Sequence, residues 1–187
     1  AVTIDPSRGD WHNELGKVHV FQGEHGEGLV YFQKAIDIAP LEANYHRNAA
    51  VALRDLGKLR ESAMELVEAL RLSPGNASWH NELGDIYAAM SWHIEALPEY
   101  SKATALAPSE AAYQRNLGVT AYNLGRLTDA IAALETAVSL KPNSADFRYQ
   151  LGRVLHLQGY PDKALGEFQL ALSLEPDSAV FRHACAL

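Results

Sequence analysis

Six of the eight prolines in this 187-residue chain fall one every 34 residues, at Pro6, Pro40, Pro74, Pro108, Pro142 and Pro176. A single globular core has no use for so even a spacing. A stack of like supersecondary units does, because every unit must stop and turn at the same point. Other columns keep the same phase. Five residues before each proline stands an alanine: Ala1, Ala35, Ala69, Ala103, Ala137 and Ala171. A pair of small or aliphatic residues recurs as Leu15-Gly16, Ala49-Ala50, Leu83-Gly84, Leu117-Gly118, Leu151-Gly152 and Cys185-Ala186. Four positions ahead of each pair is an aromatic: Trp11, Tyr45, Trp79, Tyr113, Phe147 and Phe181.

Aligned on the prolines, the chain divides into five units, 9–42, 43–76, 77–110, 111–144 and 145–178. Residues 1–8 read as the tail of a preceding repeat and 179–187 as the start of a sixth, so a longer array cut at both ends is expected. Within a unit the apolar residues follow helical spacing. Tyr113, Leu117, Ala121 and Leu124 share one face of a first helix, which Gly125 ends, as Gly57 and Gly159 do in their units. Ala130, Ile131, Leu134, Ala137 and Val138 mark a second helix closed by Pro142. One such antiparallel pair cannot bury its apolar face alone, so stacking is obligatory. Two places break the pattern. Gly23, Gly26 and Gly28 predict a frayed start to the first unit's second helix. Pro98 is harmless if its helix begins near Ile94 and predicts a kink otherwise.

Composition removes several function classes. A formal charge of −7 with no basic tract argues against nucleic acid or anionic lipid as a partner. No stretch approaches the roughly 18 consecutive apolar residues of a membrane span. Membrane insertion is not expected, and a soluble protein of the cytoplasm or periplasm is. The lone Cys185 excludes an internal disulfide and a multi-cysteine zinc site. His12, His46 and His80 form a one-per-unit column, but neighbouring units lie on the order of 10 Å apart. Ligands must sit about 2 Å from a shared ion, so no metal is expected there. Gly-rich phosphate loops, zinc-protease helices and nucleophile elbows are missing from the sequence, which predicts neither a catalytic residue nor a cofactor. Trp11-His12-Asn13-Glu14-Leu15-Gly16 recurs verbatim as Trp79-His80-Asn81-Glu82-Leu83-Gly84, the trace of a duplicated pair of units.

The columns resemble the tetratricopeptide repeat family over essentially the whole chain. The third unit shows this best, in Trp79, Leu83-Gly84, Tyr87, Ala96, Tyr100, Ala103 and Pro108. One departure is consistent: the aromatic stands four residues before the leucine, where the family usually has three. The resemblance implies an all-α, right-handed superhelical solenoid of stacked antiparallel helix pairs. It also implies that the first helices line a concave groove that holds an extended peptide or a partner helix.

Carried over by position, the groove is lined by Asn13, Glu14 and Lys17, then Arg47 and Asn48, then Asn81 and Glu82. Arg115, Asn116 and Tyr122 follow, and finally Gln150 and Arg153. The amides of Asn13, Asn48, Asn81, Asn116 and Gln150 put a donor and an acceptor on every rung, a ladder able to pair with a peptide backbone. Glu14, Arg47, Glu82 and Arg115 alternate in sign, either as ion pairs between units or as selectors of charge on a ligand.

The family's carboxylate clamp for heat-shock chaperone tails is not met, because Ser78 and Glu82 stand where a basic pair is needed. The amides are similar to the asparagine ladder of O-linked N-acetylglucosamine transferases, with Asn48 and Asn116 in the ladder position. A non-catalytic protein-interaction scaffold is the leading expectation. The alternatives are the substrate-recruiting arm of a larger enzyme, such as a glycosyltransferase, and a scaffold that forms homo-oligomers through open array ends.

Overall fold

A computed structural model describes residues 8–186, and every regular element among them is an α-helix. Five first helices, α1 (Gly9–Phe21), α3 (Ala43–Asp55), α5 (Ala77–Ala89), α7 (Ala111–Asn123) and α9 (Ala145–Leu157), begin 34 residues apart. The helices α2 (His25–Ile38), α4 (Leu59–Leu72), α6 (His93–Leu106), α8 (Leu127–Leu140) and α10 (Pro161–Leu174) keep the same interval. A short α11 (Ala179–Ala184) starts in phase with the first set. The expected tail of an earlier repeat, with Ala1 and Pro6, lies outside the described residues except for Arg8.

The chain forms two compact units, Ala1–Trp92 and His93–Leu187. In the first, each helix from α1 to α5 packs on the next, and α1 also reaches α3. One core gathers Phe32, Ile36, Tyr45 and Ala49, and another Leu66, Leu70, Trp79, Leu83 and Ile86. In the second unit α6 to α11 pack in the same sequential way, with α7 also reaching α9. Its main core is built from Leu134, Leu151, Val154, Leu155 and Phe168.

Small residues let paired helices approach. Ala35, Ala69, Ala103, Ala137 and Ala171 are each 0% exposed. At Gly152 an added Cβ would lie 2.5 Å from Cε1 of Phe168, and at Gly16 the same distance from Cε1 of Phe32. The second helix's ring therefore occupies the space that a first-helix side chain would need.

The turn out of each first helix uses one left-handed residue: Gly23, Gly57, Gly125 and Gly159 have φ between 72° and 88°. The third member of that column is Ser91, at φ 61°. Glycine adopts this conformation without a Cβ clash, and serine does not.

One local expectation changes and one conditional expectation is decided. The glycine-rich start of α2 does not fray: the helix begins at His25, in phase with the others. Gly28 is buried there, and a Cβ on it would stand 2.9 Å from the Gly16 carbonyl oxygen, so this glycine serves close packing. Helix α6 begins at His93, next to Ile94, and runs through Pro98 as one 14-residue helix, the harmless case of the two expected. The missing N–H would have bonded the carbonyl of Ile94, a residue 75% exposed, where water can replace it.

The histidine column has a structural role. Nε2 of His46 donates to the Pro40 carbonyl at 2.9 Å, and Nε2 of His80 to that of Pro74 at 3.0 Å. Arg148 repeats the bond to Pro142 at 2.8 Å, and Arg182 to Pro176 at 3.4 Å. At Pro40, Pro74, Pro142 and Pro176 the helix pair thus hands the carbonyl at its closing proline to a donor on the next first helix.

Candidate functional site

In the first unit the face formed by α1, α3 and α5 carries a hydrogen-bonded polar lattice. Asn48 Nδ2 donates to Asn13 Oδ1 at 2.8 Å, linking α3 to α1, and Asn13 is buried. Arg47 reaches Glu82 on α5 with two bonds, Nε to Oε2 at 3.1 Å and Nη2 to Oε1 at 2.8 Å. Lys17 pairs with Glu14 within α1 at 2.9 Å, and Asn81 donates to Asp85 within α5 at 3.0 Å.

The second unit repeats the plan on α7 and α9. Arg115 Nε donates to Asp146 Oδ2 at 3.0 Å and its Nη1 to Asn116 at 3.2 Å. Gln150 donates to the same Asp146 carboxylate at 3.1 Å. Of the two readings of the alternating charges, Arg47 and Arg115 follow the first, each pairing with a carboxylate on the next first helix. The amides likewise bond to neighbouring side chains. Asn48 donates to Asn13, which in turn donates to Glu14, while Asn116 and Gln150 lie half-buried around the Arg115–Asp146 pair.

Tyr122 and Arg153 stand in a different setting. Arg153 Nη1 donates to Gln150 Oε1 at 2.9 Å and Nη2 to the Tyr122 hydroxyl at 3.3 Å. Its Cζ lies 4.9 Å from the Tyr122 ring centroid and 5.8 Å from that of Tyr149. Tyr149 leans at 45° on Phe168 and on Phe181, which fixes the ring from behind. These groups border a cavity of about 530 Å³ between α7, α9, α10 and α11. Leu157 and Val180 form its apolar rim, with the imidazoles of His156 and His183 beside them.

The position-by-position transfer picked out Tyr122 and Arg153 but not Phe168, Leu157, Val180 or His183. A signal for two of these was present. Carrying the register of Asp146 and Tyr149 one period further lands on Val180 and His183. Phe168 belongs to a second helix, which lay outside that transfer. Among the described residues no three or more His, Cys, Asp or Glu side chains cluster where they could hold a metal ion. No helix there is long and apolar enough to cross a membrane.

Comparison with known proteins agrees with this architecture. Tetratricopeptide repeat models match residues 13–77, 47–90 and 145–178, and a TPR repeat model matches 120–159. No curated protein matches the chain. Among solved structures the chain is similar to YrrB, described as a TPR protein with an unusual peptide-binding site. The TM-score is 0.89 at 20% identity, covering 97% of this chain and 93% of that one. It is also similar to a MamA fragment from Desulfovibrio magneticus RS-1, with a TM-score of 0.85 at 20% identity, covering 91% of this chain and 97% of that one. A further MamA structure, from MSR-1, gives 0.79 at 23% identity, covering 91% of this chain and 98% of the other. At these identities the likeness speaks for the fold, and with the repeat matches and the 34-residue helix phase it places the chain in the tetratricopeptide repeat family.

Proposed function

We propose that the chain is a non-catalytic scaffold that holds a peptide or a partner helix along the face of its first helices. In this reading residues 9–178 supply five repeats, and the contact residues come from Asn13, Glu14, Lys17, Arg47, Asn48, Asn81, Glu82, Arg115, Asn116, Tyr122, Gln150 and Arg153. One observation carries the reading: the cavity bordered by Tyr122 and Arg153 opens on that face, at positions the repeat phase assigns to the lining. The peptide-binding site named for YrrB, a protein of the same fold, points the same way. Binding along such a face draws on several weak polar contacts, each worth about 1 kcal/mol.

The test is peptide selection from a random display library, followed by binding of the selected peptides to the parent chain and to an Asn48→Ala/Asn81→Ala/Asn116→Ala variant. Capture should fall by about a hundredfold, the product of three such contacts, with the helical circular dichroism unchanged. Unchanged capture would overturn the reading. Because Asn48 also holds the buried Asn13, an Asn81→Ala/Asn116→Ala variant separates lost contact from lost stability.

A further inference from the structure

We infer that the cavity between α7, α9 and α11 is a recognition pocket for an acidic side chain that adjoins a bulky apolar residue of a bound peptide, with Arg153 meeting the carboxylate. The inference rests on the groove reading and adds a ligand chemistry to it.

Arg153 carries the argument. It forms no ion pair among the described residues, whereas Arg47, Arg115 and Arg148 each hold a carboxylate. Its two recorded bonds go to neutral acceptors, the Gln150 amide and the Tyr122 hydroxyl. A guanidinium has five N–H donors in a planar fork, so donors remain for a carboxylate. The Tyr122 and Tyr149 rings hold it in place, which reduces the side-chain entropy a ligand must remove. A cation fixed beside an apolar wall and lacking a counter-charge is complementary to an anion that brings apolar surface with it.

The rest of the cavity defines that apolar surface. Leu157 and Val180, 59% and 55% exposed, offer aliphatic surface at the edge of the cavity of about 530 Å³. Phe168 closes the floor and is only 3% exposed. Arg153 is half-buried, while Leu157, Val180 and His183 around the same cavity are exposed. A carboxylate at the end of a side chain reaches it there, while an α-carboxylate would have to bring the peptide main chain down beside it. We therefore assign the carboxylate to Asp or Glu within the peptide. The net charge of −7 limits how many acidic residues such a partner can carry, so one carboxylate with an apolar neighbour fits better than an acidic run.

The experiment is fluorescence anisotropy with three labelled peptides. The first is an amidated Gly-Ser-Phe-Glu-Leu-Ser-Gly, and the second its Phe-Gln-Leu counterpart. The third is a neutral peptide whose only carboxylate is its C-terminus after Phe. The Phe-Glu-Leu peptide should bind at least about tenfold more tightly than the other two, in line with a charge-assisted bond. An Arg153→Met variant should erase that preference. Equal affinity for Glu and Gln peptides, tighter binding of the C-terminal acid, or an unaltered preference in Arg153→Met would each overturn the inference. The peptide comparison on the parent chain needs no variant, so misfolding of Arg153→Met cannot obscure it. Display-selected peptides that lose binding to the asparagine variants but bind Arg153→Met normally would leave the groove reading standing and remove this one.

Discussion

Arg47 grips both carboxylate oxygens of Glu82, 35 residues away, and so ties α3 to α5 across the face proposed to bind ligand. The two side chains are 35% and 20% exposed, which sets this pair apart from a solvated surface contact. A double-mutant cycle with Arg47→Met and Glu82→Gln, read by chemical denaturation, should give a coupling of about 1 kcal/mol. A coupling near zero would return both charges to the pool available to a ligand.

Ser91 holds the left-handed position that glycine fills at Gly23, Gly57, Gly125 and Gly159. An L-residue in that region costs roughly 1–2 kcal/mol, partly recovered through the stiffer unfolded chain. Ser91→Gly should therefore raise stability by about 1 kcal/mol, and Gly125→Ala should lower it by a similar amount. Thermal melts of the two variants should move in opposite directions.

Gly152 and Gly166 make a matched pair within the second unit. A Cβ at Gly152 meets Phe168 at 2.5 Å, whereas one at Gly166, inside α10, meets nothing within 4 Å. Gly152→Ala should destabilise by about 1–3 kcal/mol through overpacking. Gly166→Ala should stabilise by about 0.5–1 kcal/mol, the ordinary helix-interior gain. A gain at both sites would mean the helices do not approach as closely as described.

The Tyr45 hydroxyl donates to Asp10, linking α3 to α1. Burial, then this bond, push the Tyr45 pKa up to about 12, and the same bond, followed by Arg8, draws the Asp10 carboxyl below its usual range. For Tyr45 the folded state favours the protonated form. Its contribution is complete below pH 10 and is lost as the pH rises from 10 towards 12. For Asp10 the folded state favours the anion, so its contribution holds above the ordinary carboxylate pKa and fades as pH falls below it. Ultraviolet titration should show a late tyrosinate that is absent from Tyr45→Phe, and a normal titration at that position would remove the linkage.

Much of the fold was legible because a repeat states each rule several times over. The proline, alanine and glycine columns mark helix ends and close approaches at a constant phase, so helix starts could be read from spacing. Gly28 was misread because propensity treats a helical glycine as a weak point, and only the partner helix shows the Gly16 carbonyl lying where a Cβ would go. Pro98 turned on the position of the helix start and on the exposure of Ile94, neither of which spacing gives to the residue. The bond from the histidine column to the proline carbonyl needed coordinates.

The repeat unit, its length and its phase can be read from the residues alone, because period and small-residue columns are local properties that every unit must satisfy. The same phase also assigns residues to the first-helix face. What those residues do there depends on the helices packed around them. Arg47, Arg115 and Arg153 are the same residue type on first helices, but two meet a carboxylate on the next first helix and the third meets tyrosines and an open cavity. Whether a charge is spent or free depends on what the neighbouring helix brings within about 3 Å, a distance no one-dimensional pattern encodes.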